Sequence, residues 1–154
     1  MPEKIPSYVA MKSIEEREKD VIEDFALFGD DWEAKYEYII DLGKSLPALE
    51  EKFKDEDHLI RGCQSKVWLH SEIKDGGLWF NADSDAIITK GIIALMMKVL
   101  NGQSPASIAK APLSFIETTG LSSHLSPTRA NGLLSMIRQM KLDAIAHMAK
   151  TKND

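Results

Sequence analysis

The chain has 154 residues, of which 44% are hydrophobic and 28% charged, and its formal net charge is −5. This length is typical of a single domain that buries a core without disulfide support, and the acidic balance disfavours a nucleic-acid-binding protein. The single cysteine excludes an intrachain disulfide scaffold and any zinc or iron–sulfur site made of several cysteines of one chain. An unpaired thiol is typical of a reducing compartment, so we expect a cytoplasmic protein. No apolar run approaches the ~20 residues of a membrane span, so we expect no membrane partner.

The chain begins with a segment that we assign to an N-terminal leader, residues 1–20, followed by a single domain over residues 21–150. Inside the leader, Ser13 followed by Glu16 matches a capping box, which predicts a helix that begins after Ser13. Apolar residues then recur at helical spacing, and Gly29 is expected to cap this helix.

A second helix is predicted to begin at Asp31 and to be stopped by Gly43 and Pro47. Its apolar face repeats at i, i+4, i+7 and i+8 and consists of Trp32, Tyr36, Ile39 and Ile40. The two helices are expected to form a hairpin. The charged residues 48–58 are expected in a solvated turn or a short helix.

The hydrophobic pattern changes to strand periodicity after residue 66. Residues 67–73 alternate, and the Asp-Gly-Gly sequence at residues 75–77 predicts a hairpin turn because glycine adopts positive φ without steric cost. The alternation resumes over residues 78–82, which predicts the return strand. Residues 58–61 are expected to add a short third strand.

Helices are predicted for most of the remaining chain. A long apolar helix follows Asp85 and is closed by Gly102, with one face made of Ile88, Ile92, Leu95, Met96 and Val99. Ser-Pro pairs at residues 104–105 and 126–127 each predict a helix start. The inner face expected for the last helix comprises Leu133, Met136, Ile137, Met140 and Ile145. The predicted class is α+β, with a small antiparallel sheet packed on one face by helices.

Cys63 is the first candidate for chemistry. A lone cysteine is more often a small buried apolar residue than a reactive one. However, Gly62 before it suggests a tight turn in a loop between strands, where reactive groups often lie. The nearby cations Arg61 and Lys66 are expected to favour the thiolate, which is the nucleophilic form. These residues alone leave the inert and the reactive interpretations open.

Polar residues near two helix starts are further candidates. At least one of Asp83 and Asp85 is expected to cap the following helix, and no ligand spacing favours a metal site there. His124 and Arg129 flank the last helix start, where a cation gains nothing from the helix dipole. The position of Arg129 therefore weakly indicates another purpose.

A cysteine–histidine pair is a further possibility for catalysis. The chain offers four histidines as the base, and the sequence does not choose among them: His58, His70, His124 and His147.

Four blocks of the chain resemble the SufE family of sulfur-acceptor proteins and occur in the family's order. They are residues 31–47, 62–68 (GCQSKVW), 83–91 and 124–132. The resemblance extends from about Phe25 to about Ala146. It departs from the family at Ala82, where glycine is common, and in a leader that is longer than typical.

The resemblance implies an α+β fold shared with IscU-type iron–sulfur scaffolds and a role in sulfur transfer. Cys63 would accept persulfide sulfur from a pyridoxal-phosphate-dependent cysteine desulfurase, SufS-like or the related CsdA-like, and stimulate that enzyme. It would then pass the sulfur to an iron–sulfur scaffold complex. The residues implied to support the acceptor loop or the partner surface are Gly62, Gln64, Ser65, Asp83, Asp85, His124 and Arg129.

The resemblance also implies an accessory protein that turns nothing over alone. It would be a monomer or a weak dimer without a cofactor or metal of its own. A single cysteine suits a carrier, because a second thiol could release the sulfur by forming a disulfide. Two alternatives stay open, namely a stand-alone thiol hydrolase or peroxidase that uses Cys63 and an interaction module in which Cys63 is inert.

Overall fold

The computed structural model describes residues 11–153, so the first half of the expected leader, residues 1–10, lies outside the described residues. Within the described range, helices surround a two-stranded sheet. The elements are α1 (Ile14–Ala26), α2 (Trp32–Lys44), β1 (Val67–Lys74), β2 (Gly77–Ser84), α3 (Ile87–Leu100), α4 (Pro105–Lys110), α5 (Phe115–Thr118), α6 (Leu121–His124) and α7 (Pro127–Asn153). None of these helices is both long and apolar enough to cross a membrane.

The predicted capping box starts α1. The Ser13 hydroxyl accepts a hydrogen bond from the Glu16 backbone, and the Glu16 carboxylate accepts one from the Ser13 backbone. The helix spans the expected boundary at residue 20, and Ile14 in its first turn is buried in the core. Its C-cap is Leu27 and not the predicted Gly29, which has a φ of +58° in the turn that leads to α2.

The antiparallel hairpin of β1 and β2 is as predicted, and it confirms the α+β class. Its last pair joins Lys74 to Gly77, across a turn in which Asp75 and Gly76 have positive φ. Alternation places one face of the hairpin against the helices, and its buried residues are Val67, Leu69, Leu78, Phe80 and Ala82.

Residues 58–61 do not form the predicted third strand. His58 ends a 3₁₀ turn, and Leu59 makes only an isolated bridge to Trp68. A single further backbone bond, from the Ile60 N–H to the Val67 carbonyl at 2.8 Å, closes this segment onto β1. Only two residues, Leu59 and Ile60, separate the 3₁₀ turn from the turn at residues 61–62, so the ladder stops after one bridge.

Helix α3 is the central element of the fold. It contacts α1, α2, α7 and β2, and residues 91–97 are all buried, whereas the sequence predicted one buried face. A helix with neighbours on several sides is apolar all round. Helix α2 ends at Lys44, between Gly43 and Pro47, the two residues that were predicted to stop it. A Cβ atom on Gly43 would lie 2.8 Å from the Gly91 nitrogen, so glycine here permits α2 and α3 to pack closely.

Helix α7 starts after Ser126 as predicted and covers the Cys63 side of the domain. Its buried residues include Leu133, Met136, Met140 and Ala144. Ile145, which was assigned to the inner face, is 51% exposed. The buried position is Ala144, four residues after Met140, as the helical repeat requires.

Candidate functional site

Cys63 lies in a short loop, residues 61–66, which we call the Cys63 loop. Gly62 has a φ of +94°, which favours glycine. A Cβ atom at this position would also lie 2.3 Å from the Ser135 hydroxyl of α7. Glycine before the cysteine therefore serves both the turn and a close approach of the loop to α7, which refines the supporting role that the resemblance implied.

Asp85 holds the other end of the Cys63 loop. Its carboxylate accepts a hydrogen bond from the Lys66 backbone at 3.0 Å, and its own N–H donates to the Lys66 carbonyl at 3.2 Å. The prediction that Asp83 or Asp85 caps the next helix is wrong. The N-cap of α3 is Ala86, which offers no side-chain hydrogen bond, because the Asp85 carboxylate is turned toward Lys66 instead.

Asp83 is also drawn away from the helix start. It forms ion pairs with Lys54 at 3.1 Å and with Lys90 at 3.3 Å. Burial by itself would raise the pKa of Asp83, but hydrogen bonds from Lys54, the Ser84 backbone and Lys90 outweigh burial and lower that pKa. Asp83 thus connects β2 to residues 51–54 and to α3, outside the cavity beside Cys63.

The Cys63 loop faces a cavity of about 250 Å³, which we call the Cys63 cavity. Its lining comes from three parts of the chain: Cys63, Gln64 and Ser65 from the loop; Ala86, Thr89 and Ile92 from α3 and the residue before it; and Ser126, Thr128, Arg129, Gly132 and Met136 from α7 and the residue before it. The structure therefore brings three of the predicted supporting residues, Gln64, Ser65 and Arg129, together with Cys63. It places Asp83, Asp85 and His124 elsewhere.

The Cys63 thiol is half-buried and protonated by preference. Its S–H donates to the Gly132 carbonyl at 3.6 Å, and burial raises the pKa of the thiol. The prediction that Arg61 and Lys66 favour the thiolate is therefore wrong for this conformation. Both cations are exposed, where solvent screens their charge.

His124 is the last residue of α6 and has a structural role, because it packs against α2. Its ring stacks on Trp32 with centroids 3.9 Å apart, and its Nδ1 lies 2.9 Å from the Gly120 carbonyl oxygen. The Tyr36 hydroxyl donates to the His124 carbonyl. These contacts join α6 to α2, and they leave His124 outside the Cys63 cavity.

The other three histidines also lie away from Cys63. The rings of His58 and His70 are 5.8 Å apart, and His147 Nε2 lies 3.3 Å from the Ser71 hydroxyl. No histidine of residues 11–153 lines the Cys63 cavity. In the same range, no group of three or more histidine, cysteine, aspartate or glutamate side chains is placed to hold a metal ion.

Among the cavity residues that the sequence did not predict as site residues, two bear on the chemistry of the thiol. Thr89 is buried in α3, and Gly132 supplies the carbonyl beside the thiol. Thr89 carried a usable signal, since a hydroxyl inside an apolar helix needs a partner once it is buried. Gly132 carried only its low helix propensity, which a packing contact explains equally well.

Comparisons with known proteins identify the family of this chain. The family described as "SufE: Fe-S metabolism associated domain" matches residues 19–144. A SufE-like protein of Rhizobium meliloti is 40% identical over 80% of this chain and 91% of its own length. A SufE-like protein of Synechocystis is 38% identical over 73% of this chain and 70% of its own length.

A plant relative and a solved structure extend the comparison. SufE-like protein 1, chloroplastic/mitochondrial, of Arabidopsis thaliana is 35% identical over 96% of this chain, which spans 41% of that protein. The solution structure of a hypothetical protein from Thermus thermophilus matches with a TM-score of 0.73 at 18% identity, over 86% of this chain and 96% of that one. The structural match confirms the fold, and the sequence matches show that this chain belongs to the SufE family, which is associated with iron–sulfur metabolism.

Proposed function

We propose that this protein is a sulfur acceptor and carrier for iron–sulfur cluster assembly. Cys63 takes persulfide sulfur from a pyridoxal-phosphate-dependent cysteine desulfurase, stimulates that enzyme by removing its sulfur, and passes the sulfur to a scaffold complex. The observation that carries the proposal is the position of the chain's one cysteine, in a loop at a polar cavity, within a chain of the SufE family.

The chemistry requires one nucleophilic sulfur and no second thiol. The Cys63 thiolate attacks the outer sulfur of the donor persulfide, a new S–S bond forms, the donor S–S bond breaks, and the donor cysteine leaves as a thiolate. The outer sulfur keeps its oxidation state during this transfer, so no external oxidant or reductant is needed. Since the chain has one cysteine, no neighbouring thiol of the same chain competes for the sulfur.

The resting position of Cys63 suits a carrier that must protect its cargo. Burial raises the pKa of the thiol, so the free protein holds Cys63 mainly in its unreactive form at neutral pH. Hydrogen bonds between Asp85 and Lys66 hold one end of the loop, and Gly62 lies close to Ser135 of α7 at the other end. We propose that docking of the desulfurase loosens these contacts and exposes the thiol. Hydrogen exchange at residues 61–66 should then rise when the desulfurase is added, and unchanged exchange would contradict this step.

The remaining parts of the proposal concern partners and location. The protein acts as an accessory protein without turnover alone, and pyridoxal phosphate belongs to the desulfurase, SufS-like or CsdA-like. We propose a monomer or weak dimer in the cytoplasm, although the Arabidopsis relative is named as chloroplastic/mitochondrial. A stand-alone thiol enzyme is less well supported, because no histidine of the described residues lines the Cys63 cavity to serve as a base.

Intact-mass spectrometry tests the proposed function. The protein is mixed with an active cysteine desulfurase and free cysteine without reductant, beside a Cys63→Ser variant as the matched control. We expect a species heavier by one sulfur atom, or by more than one, in the original chain and none in the variant. The absence of an adduct in the original chain, with each candidate desulfurase demonstrably active, would refute the carrier function.

A further inference from the structure

Two helices begin at the Cys63 cavity. The first turn of α3 contributes Thr89, with Ala86 before it, and the first turn of α7 contributes Thr128 and Arg129. The N-terminus of a helix carries partial positive charge, which favours an anion. Neither first turn contains an acidic residue, and the N-cap of α3 offers no side-chain hydrogen bond. Both helix N-termini and Arg129 therefore lie where they can favour an anion inside the cavity, whereas at the free thiol burial determines the direction of the pKa shift.

Thr89 provides an independent sign that the cavity receives a ligand. The residue is only 8% exposed and lines the cavity. Within residues 11–153 its hydroxyl makes no hydrogen bond, and because no buried side-chain polar atom of that range lacks a partner, this oxygen is open to the cavity. A hydroxyl that opens into a cavity is available to donate to an acceptor that enters it.

We propose that the Cys63 cavity binds the outer sulfur of the Cys63 persulfide as an anion, with the Thr89 hydroxyl as its hydrogen-bond donor. This inference rests on the proposed function and adds the site that holds the transferred sulfur. The outer sulfur lies about 2 Å beyond Sγ, because that is the length of an S–S bond. Arg129 and the two helix N-termini supply the surrounding positive potential.

The free thiol and the persulfide use different parts of this site. The thiol is a donor, and its S–H is directed at the Gly132 carbonyl 3.6 Å away. The persulfide anion has no proton to donate, and its outer sulfur accepts hydrogen bonds. Burial thus disfavours the thiolate of the empty protein, whereas a hydrogen bond from the Thr89 hydroxyl favours the anion of the loaded protein.

Titration of the persulfide in three variants tests the proposal. Cys63 is loaded with inorganic polysulfide, so loading does not depend on a desulfurase, and the near-ultraviolet absorbance of the persulfide anion is followed against pH. A hydrogen bond to a charged group is strong, so we expect Thr89→Val to raise the persulfide pKa by about one unit, which is about tenfold less anion at a pH below it. Thr89→Ser, which keeps the hydroxyl, and Thr118→Val, which alters an exposed threonine outside the cavity, should titrate like the original chain.

Several outcomes would overturn the proposal and leave the proposed function intact. One is a Thr89→Val titration equal to that of the original chain, and another is a Thr89→Ser titration that shifts as far as Thr89→Val. Thermal unfolding establishes that each variant is folded, and Thr89→Ala provides a second deletion of the hydroxyl if Thr89→Val is not. Failure of the proposed function has a different signature, namely no sulfur adduct from an active desulfurase while polysulfide loading and the titration still succeed.

Discussion

Among the cavities of this domain, two of about 250 Å³ each differ in how their polar groups are partnered. The first is the Cys63 cavity. The second, which we call the β1–α7 cavity, is richer in ionisable groups, and its lining comprises Asp57, His58, Leu59, Leu69, His70, Ser71, Gln139 and Asp143. By the number of ionisable side chains alone, the β1–α7 cavity would be the stronger candidate for a functional site.

Hydrogen bonding reverses that ranking. In the β1–α7 cavity the Ser71 hydroxyl donates to Asp143 at 3.0 Å, and the Gln139 amide donates to the same carboxylate at 2.8 Å. These groups satisfy one another, so the cluster joins β1 to α7. In the Cys63 cavity the Thr89 hydroxyl makes no hydrogen bond to the described protein, and the Cys63 S–H meets only the Gly132 carbonyl at 3.6 Å. A polar group without a protein partner in a cavity is thus a better guide to function than a dense cluster of groups that bond to one another.

The largest expected effect is the pH dependence of Cys63 alkylation, which tests whether burial raises the pKa of the thiol in the Cys63 cavity. The thiolate is the reactive form, and burial raises the pKa of the thiol. The rate should therefore rise about tenfold per pH unit and continue to rise past the ordinary cysteine pKa of about 8.5. Iodoacetamide labelling followed by mass spectrometry measures it, with the urea-unfolded chain as control. A plateau at or below the control's pKa would contradict the buried resting state.

A substitution at Gly62 should produce the next largest effect. Gly62→Ala places a side chain at a φ of +94° and against Ser135, so we expect a loss of about 2 kcal/mol in the free energy of unfolding. Gly29→Ala is the matched control, because its φ is +58° and nothing lies within 4 Å of the added Cβ. Its cost should be about 1 kcal/mol. If urea denaturation gave equal losses of unfolding free energy for the two variants, the close approach of Gly62 to α7 would add nothing to the cost of the substitution.

Removal of the Asp85 carboxylate should loosen the Cys63 loop. Asp85→Ala deletes the acceptor of the Lys66 backbone bond, which at this exposed position contributes about 1 kcal/mol, so alkylation of Cys63 at neutral pH should rise several-fold. Asp85→Asn keeps an acceptor oxygen and should react like the original chain. Asp83→Ala is a second control, because it breaks the ion pairs with Lys54 and Lys90 without touching the loop. An unchanged rate in Asp85→Ala would remove Asp85 from the list of residues that hold the loop.

The smallest effect is expected in the β1–α7 cavity. Ser71→Ala should leave sulfur loading from a desulfurase unchanged and should lower the free energy of unfolding by about 1 kcal/mol, the usual worth of a hydrogen bond. Intact-mass spectrometry and urea denaturation measure the two quantities. A clear loss of loading would mean that the β1–α7 cavity takes part in sulfur transfer.

The elements that were predicted correctly depend on residues close together in the chain. The Ser13 capping box, the Asp31 helix start, the two Ser-Pro starts and the hairpin at residues 75–77 each involve at most a few consecutive residues. Their energetics are local, so a pattern of period 2 or 3.6 with the right turn residues predicts them. The order of four short blocks was likewise sufficient to indicate the family and to single out Cys63.

Two outcomes that the sequence did not predict concern contacts between distant segments. Gly43 was expected to help stop α2, near whose end it lies, but it also packs closely on Gly91 of α3. Asp85 was expected to cap α3, but its carboxylate bonds to Lys66. No local pattern distinguishes these alternatives, since each outcome is decided by a partner that lies 19 to 48 residues away.

The sequence by itself determined the fold class, the family and the position of the one cysteine on which the proposed function depends. Only the tertiary structure decided the direction in which the pKa of the Cys63 thiol is shifted and which residues line its cavity. Burial raises the pKa of Cys63 against the expectation from its charged neighbours in sequence, because desolvation depends on the elements packed over the loop. Thr89 and Arg129 reach the same cavity because α3 and α7 both begin there, and this convergence is a property of packing that residue spacing does not encode.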